Sequence, residues 1–385
     1  MKKTILAIAI PALFASAANA ATVYDKDGAK FDVYGRVHAA YQGKENLSNL
    51  DITKDDDFHF VKDEESKNEQ VYTYARFGMQ GKVALNNTWS AVAQGEWQVN
   101  GEESDEDQFK SRHILAGFDG SQYGKFLFGQ TDTASKWGVQ DRADIFEELG
   151  NNASLNDGRQ EGQVIYRGEW DGIFANASYI TKNSSYKSGE RFAIEKNTQN
   201  PPTPKDANDA GLKSGYALGA GYNMPNGFGF GASMESKEFD RGTDVTARTI
   251  DNGVFVKKYA ILSDIESKDD WAVGASYAYD AFYVGAMYNQ SKLKGYDDGD
   301  QIKAKGYEIA GSYTIDAWKL LAGYNFLEAK VSDNTFSSND IEMFNRVILG
   351  VEYAFTSNIK SYANYAIESA GQKDDQWEFG LQYNF

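Results

Sequence analysis

The 385-residue chain carries 56 acidic against 39 basic residues, a formal charge of −17, and no cysteine. The acidic balance excludes a nucleic-acid partner, which needs a basic footprint, and the missing thiols exclude disulfides and a zinc–thiolate site. Mean hydropathy is −0.57, and beyond the first residues no apolar run approaches the roughly 18 positions of a membrane helix, although strands that cross a bilayer escape that test because only alternate residues are apolar.

The chain opens with Lys2 and Lys3, an apolar stretch from Ile5 to Phe14, and the small-residue site Ala18-Asn19-Ala20. This pattern predicts a secretory signal peptide over residues 1–20, removed before Ala21. Without it, 37 basic and 56 acidic residues remain, a charge of −19. Residues 21–385 read as one domain, with no fixed-period repeat and no break in composition. The proline-rich stretch Asn200 to Pro204 reads as a stiff part of one loop.

From Phe31 onward the chain predicts strands joined alternately by tight turns and long polar loops. Turns fall at Asn86-Asn87, Gly120 to Tyr123, Asp171-Gly172, Met224 to Asn226, Asp280-Ala281, Asp316-Ala317 and Thr356 to Asn358, all rich in turn-forming residues. Loops fall near residues 43–69, 100–108, 132–158, 182–212, 238–269, 293–303, 331–342 and 370–375. Seven turns and eight loops separate sixteen strands of about ten residues, the length a tilted strand needs to cross a bilayer.

Each strand alternates. Ala75, Phe77 and Met79 interleave with Arg76, Gly78 and Gln80; Phe228, Phe230, Ala232 and Met234 interleave with Gly229, Gly231, Ser233 and Glu235. The last strand sets Trp377, Phe379, Leu381, Tyr383 and Phe385 on one face, and Glu378, Gly380, Gln382 and Asn384 on the other. An apolar face toward lipid and a polar face toward a lumen describe an outer-membrane barrel. Aromatics bracket both strand ends: Trp89, Tyr123, Trp170, Tyr279, Trp318 and Phe355 beside the turns, and Tyr41, Trp97, Tyr179, Phe239, Tyr288, Phe326, Tyr365 and Trp377 beside the loops. Two belts are what interfacial girdles require. A soluble β-sandwich also alternates, but it gives no reason for paired belts.

Four stretches carry a family resemblance: Phe31 to Arg36, Thr73 to Gly78, Gln122 to Gln130, and Gly380 to Phe385. In this order they resemble the trimeric general diffusion porins of the Gram-negative outer membrane, the enterobacterial-type family. The resemblance implies an all-β fold, a 16-stranded antiparallel transmembrane barrel with short periplasmic turns, long outer loops and an inward-folded third loop. It implies a homotrimer among outer-membrane lipids including lipopolysaccharide, passing ions and small hydrophilic solutes, with no catalytic residue, cofactor or metal.

The resemblance also implies a constriction between acids of the third loop and arginines of the wall. The loop candidates between Thr131 and Gly158 are Asp132, Asp141, Asp144, Glu147 and Glu148; Phe146 to Gly150 falls where the family carries a Pro-Glu-Phe-Gly-Gly stretch, and either glutamate could face the lumen. The wall candidates are Arg36, Arg76, Arg112 and Arg159. Alternation independently turns Arg36 and Arg76 inward and groups Arg159 with Glu161, Gln163 and Arg167. Arg112 shares its face with Ile114, which would turn His113 toward lipid. Trp377, Phe379, Tyr383 and Phe385 are expected to anchor the interface and close the barrel. Six loop acids, the five candidates and Asp157, against four arginines predict cation preference.

Two rival functions remain open. A substrate-selective channel would line its path with aromatics, but Tyr34, Tyr72, Tyr74, Tyr283 and Tyr362 fall on widely spaced strands. A barrel hydrolase would need a nucleophile–base pair from His38, His59 or His113, none of which lies in a His-Xaa-Ser arrangement. The acidic runs Asp55 to Asp57, Asp63 to Glu65 and Asp297 to Asp300 match no calcium-loop spacing and read as solvated charge.

Overall fold

A computed structural model describes residues 20–45, 49–52, 58–61, 67–101, 109–156, 159–182, 192–196, 211–241, 243–251, 254–262, 264–297, 299–332, 340–370 and 375–385. The expected signal peptide before Ala20, the acidic runs of the first loop and the proline-rich stretch lie outside these residues.

Sixteen staves form the barrel. They run Ala29–Glu45, Lys67–Ala84, Ser90–Asn100, Phe109–Asp119, Lys125–Asp132, Arg159–Trp170, Ile173–Ile180 and Leu212–Asn223 in the first half. Phe228–Phe239, Ile265–Tyr279, Phe282–Gly295, Gln301–Ile315, Trp318–Ser332, Ile341–Ala354, Ile359–Glu368 and Gln376–Asn384 complete it. Every neighbouring pair is antiparallel, and the last stave closes on the first from Arg36↔Asn384 to Gly43↔Trp377. Closure leaves no open edge, the condition for a sheet in lipid. All seven expected turns lie between staves. At Asp171-Gly172 both residues take positive φ (47° and 85°), the hairpin geometry whose twist matches the strands.

The structure adds to the sequence reading. Ala21–Lys26 is a seventeenth strand, returning through Asp27-Gly28 (φ 56° and 77°) to pair with Ala29–Val33. It continues, along the same edge of the first stave, the line that Gln376–Asn384 begins. The Asp-Gly turn was its signal, hidden because its strand is short and fully exposed. Staves reach 18 residues at Lys67–Ala84, so several project beyond the bilayer rather than ending near ten. Small sheets also form within loop segments, one from Asn49–Ile52 and Phe58–Val61, another from Phe192–Lys196, Thr243–Asp251 and Val254–Leu262.

The outward face is apolar. Phe118, Phe128, Phe230, Trp271, Ile309, Leu320 and Leu381 are exposed on it, and stacked pairs such as Trp89–Tyr123 and Tyr307–Phe326 mark its two ends. Phe239 departs from the expected belt: it is fully buried on the inner face. There it joins Ile180, Leu212, Ile265, Leu293, Ile302 and Leu327, with Leu155 of the third loop, in an apolar cluster. The inner face is therefore not uniformly polar; where loop chain packs on it near the outer end, it is a core.

The terminal strand behaves as its alternation requires. Phe379, Leu381 and Tyr383 are exposed outward, while Trp377 packs on Tyr41 at 5.0 Å between ring centroids. Phe385 exchanges two backbone hydrogen bonds with Gly35, at 2.8 and 3.0 Å. Its ring occupies the space a side chain at residue 35 would need, 2.5 Å from an ideal Cβ. Gly35 is thus fixed by the closure it accommodates.

Candidate functional site

The chain from Thr131 to Asn156 lies inside the barrel, against the wall formed by the seventh to fourteenth staves. Ser135 Oγ donates to Glu235 Oε2 at 2.8 Å, and Thr133 donates to the same carboxylate. The Ala134 N–H donates to Ser178 Oγ at 2.9 Å. Arg142, 1% exposed, donates to Ser276 Oγ (2.7 Å) and Asn223 Oδ1 (2.9 Å), while Tyr283 Oη donates to the Arg142 carbonyl (2.7 Å). Further along, the Asn151 N–H reaches Glu308 at 3.0 Å, Arg346 reaches the Leu149 carbonyl at 2.6 Å, and Lys268 reaches the Leu155 carbonyl at 3.0 Å. Buried backbone outside regular structure must find such partners.

Glycine makes this contact possible. An ideal Cβ on Gly219 would sit 2.5 Å from the Ala134 carbonyl oxygen, on Gly274 2.3 Å from that of Val139, on Gly285 1.8 Å from that of Arg142, and on Gly306 1.9 Å from that of Ala153. These inward positions on four staves form a track on which the loop backbone rests at a distance no other residue permits.

Across from that track stand the arginines. Arg36 and Arg76 are direct cross-strand partners on the first and second staves, a like-charge juxtaposition that costs energy unless compensated. Glu147 supplies compensation: Arg36 Nη1 lies 3.2 Å from Glu147 Oε2, and Lys360 pairs with Oε1. Arg76 Nε donates to Gln98 Oε1 at 2.8 Å, and Arg112 Nε to Glu96 Oε1 at 2.7 Å. One cavity of about 390 Å³ is lined by all four arginines, by Asp132, Asp141, Asp144 and Glu147, and by Lys136, Lys319, Lys360, Glu96 and Glu352. Glu148 is outside that lining, but within electrostatic range of Arg76, Tyr74 and Tyr362.

Strict alternation misplaces two residues, for one reason. The fourth stave carries a β-bulge: Glu96 opposes His113 and Trp97 opposes Ser111, leaving Arg112 as the extra residue. Arg112 and His113 therefore both reach the inside, where His113 Nδ1 meets Thr131 Oγ1 at 2.9 Å, and Ile114 points to lipid. A second bulge between Gly129↔Gln163 and Thr131↔Gln160 breaks the shared parity of Arg159 with Gln163; Arg159, opposite Asp132, reaches the cavity from the stave end. Bulges re-aim side chains without changing strand order.

Burial pushes the carboxyl of Asp141, in the third loop, up to about 6, only partly offset by the Gly138 N–H and Lys136. Burial acts the same way on Glu147, but Lys360 and Arg36 outweigh it and hold that carboxyl down at about 2.

Closure also gathers aromatics that looked scattered. Tyr362, on the fifteenth stave, hydrogen-bonds His38 on the first at 2.8 Å, and Tyr72 and Tyr74 pack on the same imidazole. Tyr34, Tyr74 and Tyr362 are all under 5% exposed, so they thicken the wall and offer no face to a passing solute. Lys136, Lys319, Lys360, Glu96 and Glu352 were missed by the sequence reading. Lys360 had a signal, since it shares inward parity with Tyr362 and Asn364.

A closed antiparallel barrel with an apolar exterior and a charged interior is a membrane pore protein. The sequence profile of the Gram-negative porins matches residues 6–373, and the chain belongs to that family. Among curated relatives, outer membrane protein S2 of Salmonella typhi is 27% identical over 420 residues, covering 100% of both chains. Outer membrane porin N of Escherichia coli (strain K12) is 26% identical, covering 97% of this chain and 94% of its own. Solved structures share the fold: Salmonella typhi OmpF in complex with daunomycin at TM-score 0.66 and 17% identity, covering 95% of this chain and 100% of its own. The trimer form of Vibrio cholerae OmpT superposes at TM-score 0.64 and 19% identity, covering 93% and 100%. The protein is an outer-membrane porin of a Gram-negative bacterium.

Proposed function

We propose that the protein is a water-filled channel for passive diffusion of ions and small hydrophilic solutes, narrowed where the third loop faces the basic wall. The observation that carries this reading is the single cavity bounded by Arg36, Arg76, Arg112 and Arg159 on one side and by Asp141, Asp144 and Glu147 on the other. Opposite charges ~8 Å apart interact by about 0.5 kcal/mol in water and about 2 kcal/mol at an effective dielectric near 20. A transverse field of that size orients dipolar solutes, whereas an apolar solute would displace ordered water without replacing its hydrogen bonds.

Cation preference is part of the proposal, and a modest one. Seven cationic and six acidic side chains line the cavity, so the bias arises mainly from the charge of −19 over residues 21–385 acting at the mouths, and it fades as salt shortens the Debye length. Reversal potentials across a planar bilayer in a KCl gradient test this: a cation-favouring sign at low salt is expected, and anion preference in dilute KCl overturns it.

The working form is proposed to be a homotrimer embedded among outer-membrane lipids, with residues 1–20 removed on export. Val37 and Ala39 make the first-stave exterior small and smooth above the Phe385 ring, which lets two barrels approach closely. Detergent-extracted protein should migrate as a heat-labile trimer; a monomer by light scattering in mild detergent refutes the assembly. A hydrolytic role finds little support: the His113–Thr131 pair is a base beside a hydroxyl, but Thr131 is 0% exposed and meets no substrate.

A further inference from the structure

Near the outer ends of the staves the inward side chains fall into two sectors. On the eighth to thirteenth staves they are aliphatic or aromatic: Leu212 opposes Phe239, and Leu293, Ile302 and Val331 form one cross-strand row. All five are 5% exposed or less. A water-filled lumen would wet such side chains, which costs free energy in proportion to their apolar area. This part of the interior is closed to solvent.

Below that core the same wall is charged and equally dry. Lys237 is the cross-strand partner of Lys268, and Glu235 of Asp270, and all four are buried. Lys237 pairs with Glu235, and Lys268 Nζ lies 3.3 Å from Asp270 Oδ2. Thr133 and Ser135 of the third loop donate to Glu235, and Ser291 donates to Asp270. Charges out of water persist only when paired and hydrogen-bonded in this way. On this side the packing is therefore continuous from the third loop to the outer end of the barrel. On the fifteenth, sixteenth and first staves the inward Asn364, Glu378 and Gln42 are buried as well.

The second to sixth staves differ. Toward their outer ends Lys110 and Arg159 are exposed, and Tyr72, Gln98 and Asn100 are half-buried. These side chains are polar, and they stand on the same inward face as Arg76 and Arg112 of the cavity wall.

We propose that the outer mouth is eccentric: solutes reach the constriction only along the second to sixth staves. The dry core over the eighth to thirteenth staves, rather than the diameter of the barrel, then sets the largest solute admitted from outside. This route rests on the channel reading and adds to it. Solutes admitted are small and polar, and a broader one is turned away before it meets the charges of the constriction.

The chain contains no cysteine, so single cysteines can map the route in the full-length channel. A cationic, membrane-impermeant methanethiosulfonate is added on the outer side of a planar bilayer holding one variant at a time. Asn100→Cys and Lys110→Cys lie on the proposed route, and their current should fall irreversibly on modification. Leu293→Cys and Ala304→Cys lie in the dry core, where Ala304 is 5% exposed. One is smaller and the other larger than the native residue, so no single packing error explains both. Their current should be unchanged, and they should react roughly tenfold or more slowly, because a thiol shut away from water meets no reagent; full labelling after unfolding confirms that the thiol is present. Lys213→Cys, at an exposed lysine 3.3 Å from Glu238, should label without loss of current. Rapid labelling of Leu293→Cys or Ala304→Cys with loss of current overturns the proposal, and so does unchanged current in both Asn100→Cys and Lys110→Cys after labelling. A wild-type protein that passes no current would defeat the channel reading instead, so the two failures are distinct.

Discussion

Two walls of one barrel use the same alternation for opposite ends. On the first, second and fourth staves the inward positions hold Arg36, Arg76 and Arg112, long side chains that line the cavity and bond Glu147, Gln98 and Glu96. On the eighth, tenth, eleventh and twelfth they hold Gly219, Gly274, Gly285 and Gly306, where the side chain is deleted so that a loop backbone fits. Both satisfy the rule that an inward residue need not be apolar. The contrast teaches that the shape of the barrel interior is set as much by where side chains are missing as by where charges stand.

The glycine wall is the sharper place to break that contrast. Gly285→Leu drives a side chain into the Arg142 carbonyl, 1.8 Å from an ideal Cβ, and the loop cannot rest there. Over-packing of this kind costs about 1–3 kcal/mol, and the loop is the part able to move. Single-channel conductance should rise more than in any other variant here, with a lower unfolding temperature. Gly81→Ala, whose nearest neighbours lie 3.9 Å away, is the control. Wild-type conductance in Gly285→Leu would separate the glycine track from loop placement.

The arginine wall should respond less, and mainly in sign. Arg76→Ser removes bulk and one positive charge; exclusion of larger solutes should relax and reversal potentials shift toward cations. Glu147→Gln, which leaves Arg36 and Lys360 without their shared carboxylate, should shift them toward anions. Each shift corresponds to roughly 1 kcal/mol or less of altered ion energy in a wet pore. Shifts of the same sign in both variants would contradict opposed walls.

The smallest effect is a pH dependence. The Asp141 carboxyl sits near 6 because of burial, so it gains a proton as pH falls from 7 to 5, and the path becomes more positive. Cation preference should weaken over that interval, and Asp141→Asn should abolish the change. Glu147, held at about 2, stays ionised throughout. Because its carboxyl is depressed in the fold, its contribution to loop seating is complete above its ordinary value near 4.5 and is lost as pH falls toward 2. Loop release measured by conductance should therefore occur only in strong acid.

The order of staves, the turns, and the inward direction of Arg36 and Arg76 were legible in the residues, because two-residue periodicity and turn chemistry are local properties. Family likeness also located the third loop. The inward reach of both Arg112 and His113 was not legible: a single bulge reverses parity, and nothing adjacent in the chain marks it. Nor was the gathering of His38, Tyr72, Tyr74 and Tyr362, since Tyr362 is 324 residues from His38 in sequence and becomes its neighbour only when the last stave meets the first. The same holds for the meeting of Glu147 with Arg36 and Lys360. Alternation along a strand is written in the chain; register between strands, bulges and closure are settled by pairing, and those decide which charges meet.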